Sequence, residues 1–183
     1  MSMRPLHDVS PADWIVEADA HWLTKALYGP PGFPAYTRVL FDLSEDDSRV
    51  DDVDAMQRAI DHLRGHTTTP DEGFVGVWHG WGWWEHGFHP AAPDAPHFSI
   101  PNREYVLLGG PLGEAPTTES LGIDFTDTPH FIWPADQAWC IASDVDPDWF
   151  AVGGSNGAID EILSDERLDA VTTTYAEHLE IEP

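Results

Sequence analysis

The segment FVGVWHGWGWW, running from Phe74 to Trp84, decides how the rest of the chain is read. Its residues alternate with a period of two, the signature of a β-strand with two distinct faces. One face would carry Val75, Val77, His79, Trp81 and Trp83. The other would carry Phe74, Gly76, Trp78, Gly80, Gly82 and Trp84. Glycines set among tryptophans suit a strand over whose bare backbone a neighbour lays its rings. A sheet is therefore expected at the centre of the chain.

Upstream the period changes to helical. Ser10 is placed to cap a helix from Pro11 to Tyr28, with proline suited to the first position and Asp13 completing a capping-box pattern. Trp14, Ala18 and Trp22, with Ile15 and Leu23, form its apolar stripe, and Gly29-Pro30-Pro31-Gly32 stops it. A strand is expected over Tyr36 to Leu43. A second helix follows from Asp52 to Arg64, capped by Asp51, with Val53, Met56, Ile60 and Leu63 inward and Gly65 at its end.

Downstream, residues 85 to 103 read as a long Pro-, Ala- and His-rich connection, and 109 to 128 as a second irregular stretch. Strands are expected near Glu104 to Leu108, Phe131 to Trp133, Ala138 to Ser143 and Trp149 to Val152. A helix from Asn156 to Leu163 then turns Ile159, Ile162 and Leu163 inward, and Ser164 is placed to cap a short turn carrying Leu168. The tail from Val171 is open between strand and helix. No repeat and no linker divides the 183 residues. The expectation is one α+β domain, with a mostly antiparallel sheet, helices at the N-terminal end and one near the C-terminus.

Thirty-three Asp and Glu stand against 8 Lys and Arg, a formal charge of −25, and the only lysine is Lys25. Such a field repels nucleic acid and anionic membranes. No stretch approaches the roughly 18 apolar residues of a membrane helix, and the N-terminus lacks an apolar signal region, so a cytoplasmic protein is expected. The acidity has three readings: a salt-adapted or high-GC proteome, a docking surface for a basic protein, or mimicry of a phosphate backbone. It is concentrated in Asp42, Glu45, Asp46, Asp47, Asp51, Asp52 and Asp54, offset there only by Arg49. Asp144, Asp146 and Asp148 make a second patch. Their spacing resembles the start of a calcium loop, but Trp149 and Ser155 stand where glycine and glutamate are required.

His79, His86, His89 and His97, with Glu85 beside them, are candidate ligands for zinc, copper or nickel. Gly153-Gly154-Ser155-Asn156-Gly157 matches the G-x-S-x-G letters of a nucleophile elbow at a strand-to-helix turn, although His178 is the only histidine that follows. Cys140 has no basic neighbour in sequence and reads as a buried, inert thiol. There is no Walker lysine and no dinucleotide glycine pattern, and no cofactor is expected.

The run Trp133-Pro134-x-Asp136-x-x-Trp139, then Asp144-x-Asp146, then Val152-Gly153-Gly154-Ser155, resembles uncharacterised small acidic bacterial proteins. The order of helices, sheet and closing helix is similar in architecture to the immunity-type proteins that neutralise bacterial toxins. That resemblance implies a non-catalytic inhibitor or immunity-type partner of a basic protein, with the two acidic patches as its surface. The alternative is a small hydrolase, metal-dependent through the His79–His97 cluster or serine-based on Ser155.

Overall fold

The computed structural model describes residues 3–41, 52–81, 95–114, 129–177 and 179. Among the described residues nine strands form one sheet: β1 (Arg4–Pro5), β2 (Ala35–Leu40), β3 (Gly73–Trp78), β4 (His97–Ile100), β5 (Arg103–Gly110), β6 (Phe131–Pro134), β7 (Cys140–Ala142), β8 (Trp149–Gly154) and β9 (Asp169–Thr173). Their order is β1-β5-β3-β6-β7-β8-β2-β9, with β4 also on β5, and every pairing is antiparallel. β1 and β4 share one edge of β5 end to end, at Leu108–Gly109 and Arg103–Val106. Helices α1 (Asp13–Val16), α2 (Trp22–Tyr28), α3 (Asp52–Leu63) and α4 (Asn156–Ser164) complete the α+β fold.

The alternation read in Phe74–Trp78 sorts the sheet into two differently built faces. Val75 and Val77 join Val39, Val106, Ile132, Ile141 and Val152 in an aliphatic core, covered by Met56, Ile60 and Leu63 of α3 and Ile159 and Ile162 of α4. Phe74 and Trp78 turn to the opposite face, with Phe98, Tyr105, Phe131 and Trp133 under α1 and α2. Gly76 works as expected: a Cβ there would stand 2.9 Å from Phe98 Cζ and 3.2 Å from Phe131 Cβ. The ring over it belongs to β5's other neighbour, β4, which lies within the stretch 85 to 103 expected to be a connection.

Two helix expectations are corrected. The single helix from Pro11 to Tyr28 is a 3-10 turn (Ser10–Ala12), a short α1, and a separate α2 beginning at Trp22. Trp14 packs against Phe33 and Trp133, whereas Trp22 lies over Arg103. The two tryptophans serve different sites, and one straight stripe would not deliver both. Lys25, 5% exposed, donates from Nζ to the carbonyls of Val16 at 2.8 Å and Ala18 at 3.3 Å, so it satisfies groups the break leaves open. Burial lowers the lysine's pKa. At the N-terminus Asp8 accepts from the Ser10 amide, and Ser10 makes no side-chain cap.

α2 does end at the glycine, with Gly29 at φ 74° against Cys140. The turn carrying Leu168 is organised by Asp165, which accepts from Arg167 N–H, while Ser164 donates back to Asp160 C=O. Of the tail, Val171–Thr173 belong to a strand, β9, which pairs with β2.

Candidate functional site

At one end of the sheet, where β3 runs out and β5 begins, polar groups gather on and around the aromatic face. Arg103 lies between two indoles, its guanidinium carbon 5.5 Å from the Trp22 ring and 5.0 Å from that of Trp78. Its Nε and Nη2 donate to both oxygens of Asp144, at 3.3 and 3.1 Å, and Nη1 donates to the Asn102 carbonyl. The Asp144 side chain is 5% exposed and also accepts from the Val145 amide. This is a forked, nearly dry pair, in which each partner keeps the other from being an isolated buried charge.

Behind it sits His130. Its Nδ1 accepts from the Trp78 amide at 3.2 Å, its own amide donates to Gly76 C=O, and its carbonyl accepts from Ser143. Burial pushes its pKa down to about 4, so the ring is neutral at pH 7. The Tyr105 hydroxyl is buried with no hydrogen-bond partner among the described residues, and burial raises its pKa.

Beside this cluster opens a cleft of about 400 Å³, lined by Trp78, His79, Gly80, Ser99, Ile100, Asn102, Arg103 and Glu104. His79, on its lining, meets His97, with ring centroids 4.6 Å apart and planes at 72°. The fold thus brings together the first and last of the four sequence-predicted histidines. His86 and His89 lie outside the described residues, as does Glu85. Among the described residues no group of three or more His, Cys, Asp or Glu side chains could hold a metal ion.

The acidic residues are placed differently from one another. Asp42, Glu45, Asp46, Asp47 and Asp51 lie outside the described residues. Asp52 and Asp54 occupy the first turn of α3, where carboxylates complement the helix dipole. Asp146 and Asp148 are exposed, whereas Asp144 turns inward to Arg103. The Asp148 carbonyl accepts from the Phe41 amide at 2.9 Å, so the end of β2 lies beside the second patch. More acids stand on the outer side of α3 and α4 and the turn after it, all exposed: Asp54, Asp61, Asp160, Glu161 and Glu166. There His62 Nε2 meets Asp165 at 3.0 Å, and His66 Nε2 meets Glu161 at 3.2 Å. Arg167 clamps Asp165 through two bonds of 2.8 Å, and with His62 it holds that carboxyl far below the usual carboxylate range.

Two other candidates have structural engagements. The Ser155 hydroxyl caps α4, accepting from the Ala158 amide at 3.2 Å, and His178 lies outside the described residues. Cys140 is fully buried, and burial raises its thiol pKa. Sequence reasoning missed Arg103, Trp22 and His130. Arg103 sat alone at a strand edge, and nothing local signalled that a carboxylate 41 positions later would close on it. No described helix is long and apolar enough to cross a membrane. No family model, curated protein or solved structure matches this chain.

Proposed function

We propose that this protein is a non-catalytic acidic binding module for a basic protein, acting as an inhibitor or immunity-type partner. The observation that carries the reading is that three of the cations are engaged within the fold while many acids stand exposed. Lys25 is buried on backbone carbonyls and Arg103 is held against Asp144. Arg167 is committed to Asp165. The exposed acids of α3 and α4, with Asp146 and Asp148, have few cations left to offset them. In a −25 chain whose exposed acids outnumber its exposed cations among the described residues, the outward field is strongly negative. Such a field speeds encounter with a basic surface and selects against acidic ones.

The residues assigned to the interface are Asp42, Glu45, Asp46, Asp47, Asp51, Asp52 and Asp54, together with Asp146 and Asp148. Asp144 acts behind them as the anchor of Arg103. The test is a tagged pull-down from source lysate at low salt, eluted in salt steps, run beside the Asp46→Asn/Asp47→Asn/Asp51→Asn/Asp52→Asn variant. The reading expects one basic protein in near-equal amount, released at intermediate salt and retained less by the variant. Equal retention by both proteins would refute the acidic surface.

A further inference from the structure

The last strand in the sheet order, β9, has β2 as its one neighbour among the described residues. Which of its backbone groups face outward follows from the hydrogen-bond alternation of an antiparallel sheet. Phe41, continuing β2, donates its amide to Asp148 C=O on the β8 side. Alternate residues of β2 therefore turn to β8, and Tyr36, Arg38 and Leu40 between them turn to β9. Their partners Thr173, Val171 and Asp169 point back at β2. The Val171 carbonyl shows the same sense, since it accepts from the Thr37 hydroxyl at 2.9 Å. Ala170 and Thr172 are left aiming their amides and carbonyls away from the sheet.

The residues on either side of that pair are closed by the chain itself. Leu168 N–H donates to Asp165 C=O at 2.9 Å. At the other end the Thr174 amide donates to Glu177 Oε2 at 2.8 Å, and Thr174 C=O accepts from the Glu177 amide at 3.1 Å. Ala170 and Thr172 have no such partner among the described residues, so their amides and carbonyls stand in line at the edge. An edge of this kind receives an extended segment as an added strand, with main-chain hydrogen bonds supplying affinity.

Charge selects the occupant. Glu166 and Asp169 stand exposed at one end of the edge, and Glu177 closes the other. α4 packs along β9 and carries the exposed Asp160 and Glu161. The cations nearby are turned elsewhere: Arg167 is clamped on Asp165, and Arg38, opposite Val171, leans over Trp149 of β8. A second copy of a −25 chain would set like charges strand against strand, which disfavours self-pairing. A lysine- or arginine-bearing segment meets the opposite sign at both ends.

We infer that β9 takes an extended basic segment of the protein partner as an added strand, bonded main chain to main chain at Ala170 and Thr172. This contact rests on the binding role proposed above and specifies how part of the partner is held.

Amide NMR of the full chain, free and titrated with a blocked hexapeptide alternating lysine and valine, tests the edge. In the free protein the Ala170 and Thr172 amides should exchange with solvent at least about tenfold faster than that of Val171. The peptide should shift and slow both, and a glutamate–valine counterpart should do neither. Thr172→Pro removes one outward donor at an edge position that tolerates proline, and should weaken peptide binding at least about tenfold. Thr172→Ala keeps the amide and should change affinity by less than about threefold. Slow exchange of both amides in the free protein would overturn the site. So would equal binding of the two peptides, lysine-peptide binding that leaves both amides unmoved, or no binding at millimolar peptide. These readings come from the native chain, so they hold even if Thr172→Pro fails to fold. Peptide binding at the edge without a basic protein in the pull-down would remove the binding role and keep the edge. A captured partner that leaves both amides fast would remove the edge and keep the role.

Discussion

The two faces of the sheet use the same backbone for opposite ends. Under α1 and α2 the packing is aromatic, and charged groups are drawn inward: Lys25 onto carbonyls, Arg103 onto Asp144 between two indoles. Under α3 and α4 the packing is aliphatic, and charge is left on the outer helix surfaces as carboxylates, with His62 and His66 linking the two elements to Glu161 and Asp165. The contrast shows that a chain with eight Lys and Arg can still build an internal electrostatic network, provided the few cations are placed where water is scarce. The outside is acidic by composition, and the inward placement of Lys25 and Arg103 adds to it.

Among substitutions, breaking the inner network should have the largest effect. Asp144→Ala leaves the half-buried Arg103 between two indoles without its anion, and should destabilise the fold by about 2 kcal/mol, the loss of a charged, forked hydrogen-bonded pair. Thermal unfolding measures this. The paired change Arg103→Met/Asp144→Leu should recover most of the loss, because no lone charge remains.

The next effect concerns pH. The buried ring of His130 has a folded pKa of about 4, below the ordinary value near 6.5. Its contribution is fully present above about 6.5 and is lost as pH falls toward about 4, because the unfolded chain takes up the proton first. Unfolding free energies from urea melts should fall between pH 7 and 4 by an amount on the order of 3 kcal/mol in wild type, and less in His130→Gln. Equal slopes for the two proteins would remove His130 as the cause.

A smaller loss is expected at Gly76→Ala, whose added methyl meets Phe98 and Phe131; overpacking there should cost about 1–2 kcal/mol in urea denaturation. On the outer face Asp160→Asn/Glu161→Gln should change stability by no more than about 0.5 kcal/mol, since exposed pairs contribute little. A large destabilisation by that outer pair would erase the distinction between the faces.

What the sequence made legible follows from period and punctuation. The stripe Val53, Met56, Ile60 and Leu63 predicts α3 to within a residue, and the glycines before Ser155 place the turn into α4. Gly76 beneath a ring was legible for the same local reason. The break between α1 and α2 was not, because the spacing of Trp14, Ala18 and Trp22 fits a continuous helix and only tertiary partners pull the tryptophans apart. β4 is short and sits among Pro and His, too brief for alternation to outweigh its surroundings. At the candidate site, His79 and His97 were legible as a pair of residue types, but their meeting needs the β3-β5-β4 register. Asp144 was read as an exposed acid, since an Asp-rich turn carries no mark of which carboxylate faces inward.

The central statement is that the outward acids recruit a basic protein. The direct measurement is calorimetric affinity for the captured partner at low and at high salt, comparing wild type with the Asp46→Asn/Asp47→Asn/Asp51→Asn/Asp52→Asn variant. A 1:1 complex that weakens at least about tenfold with salt, and again with the variant, is the expected result. An affinity indifferent to both salt and substitution would mean that the acidic surface serves solvation, and the binding role would fall.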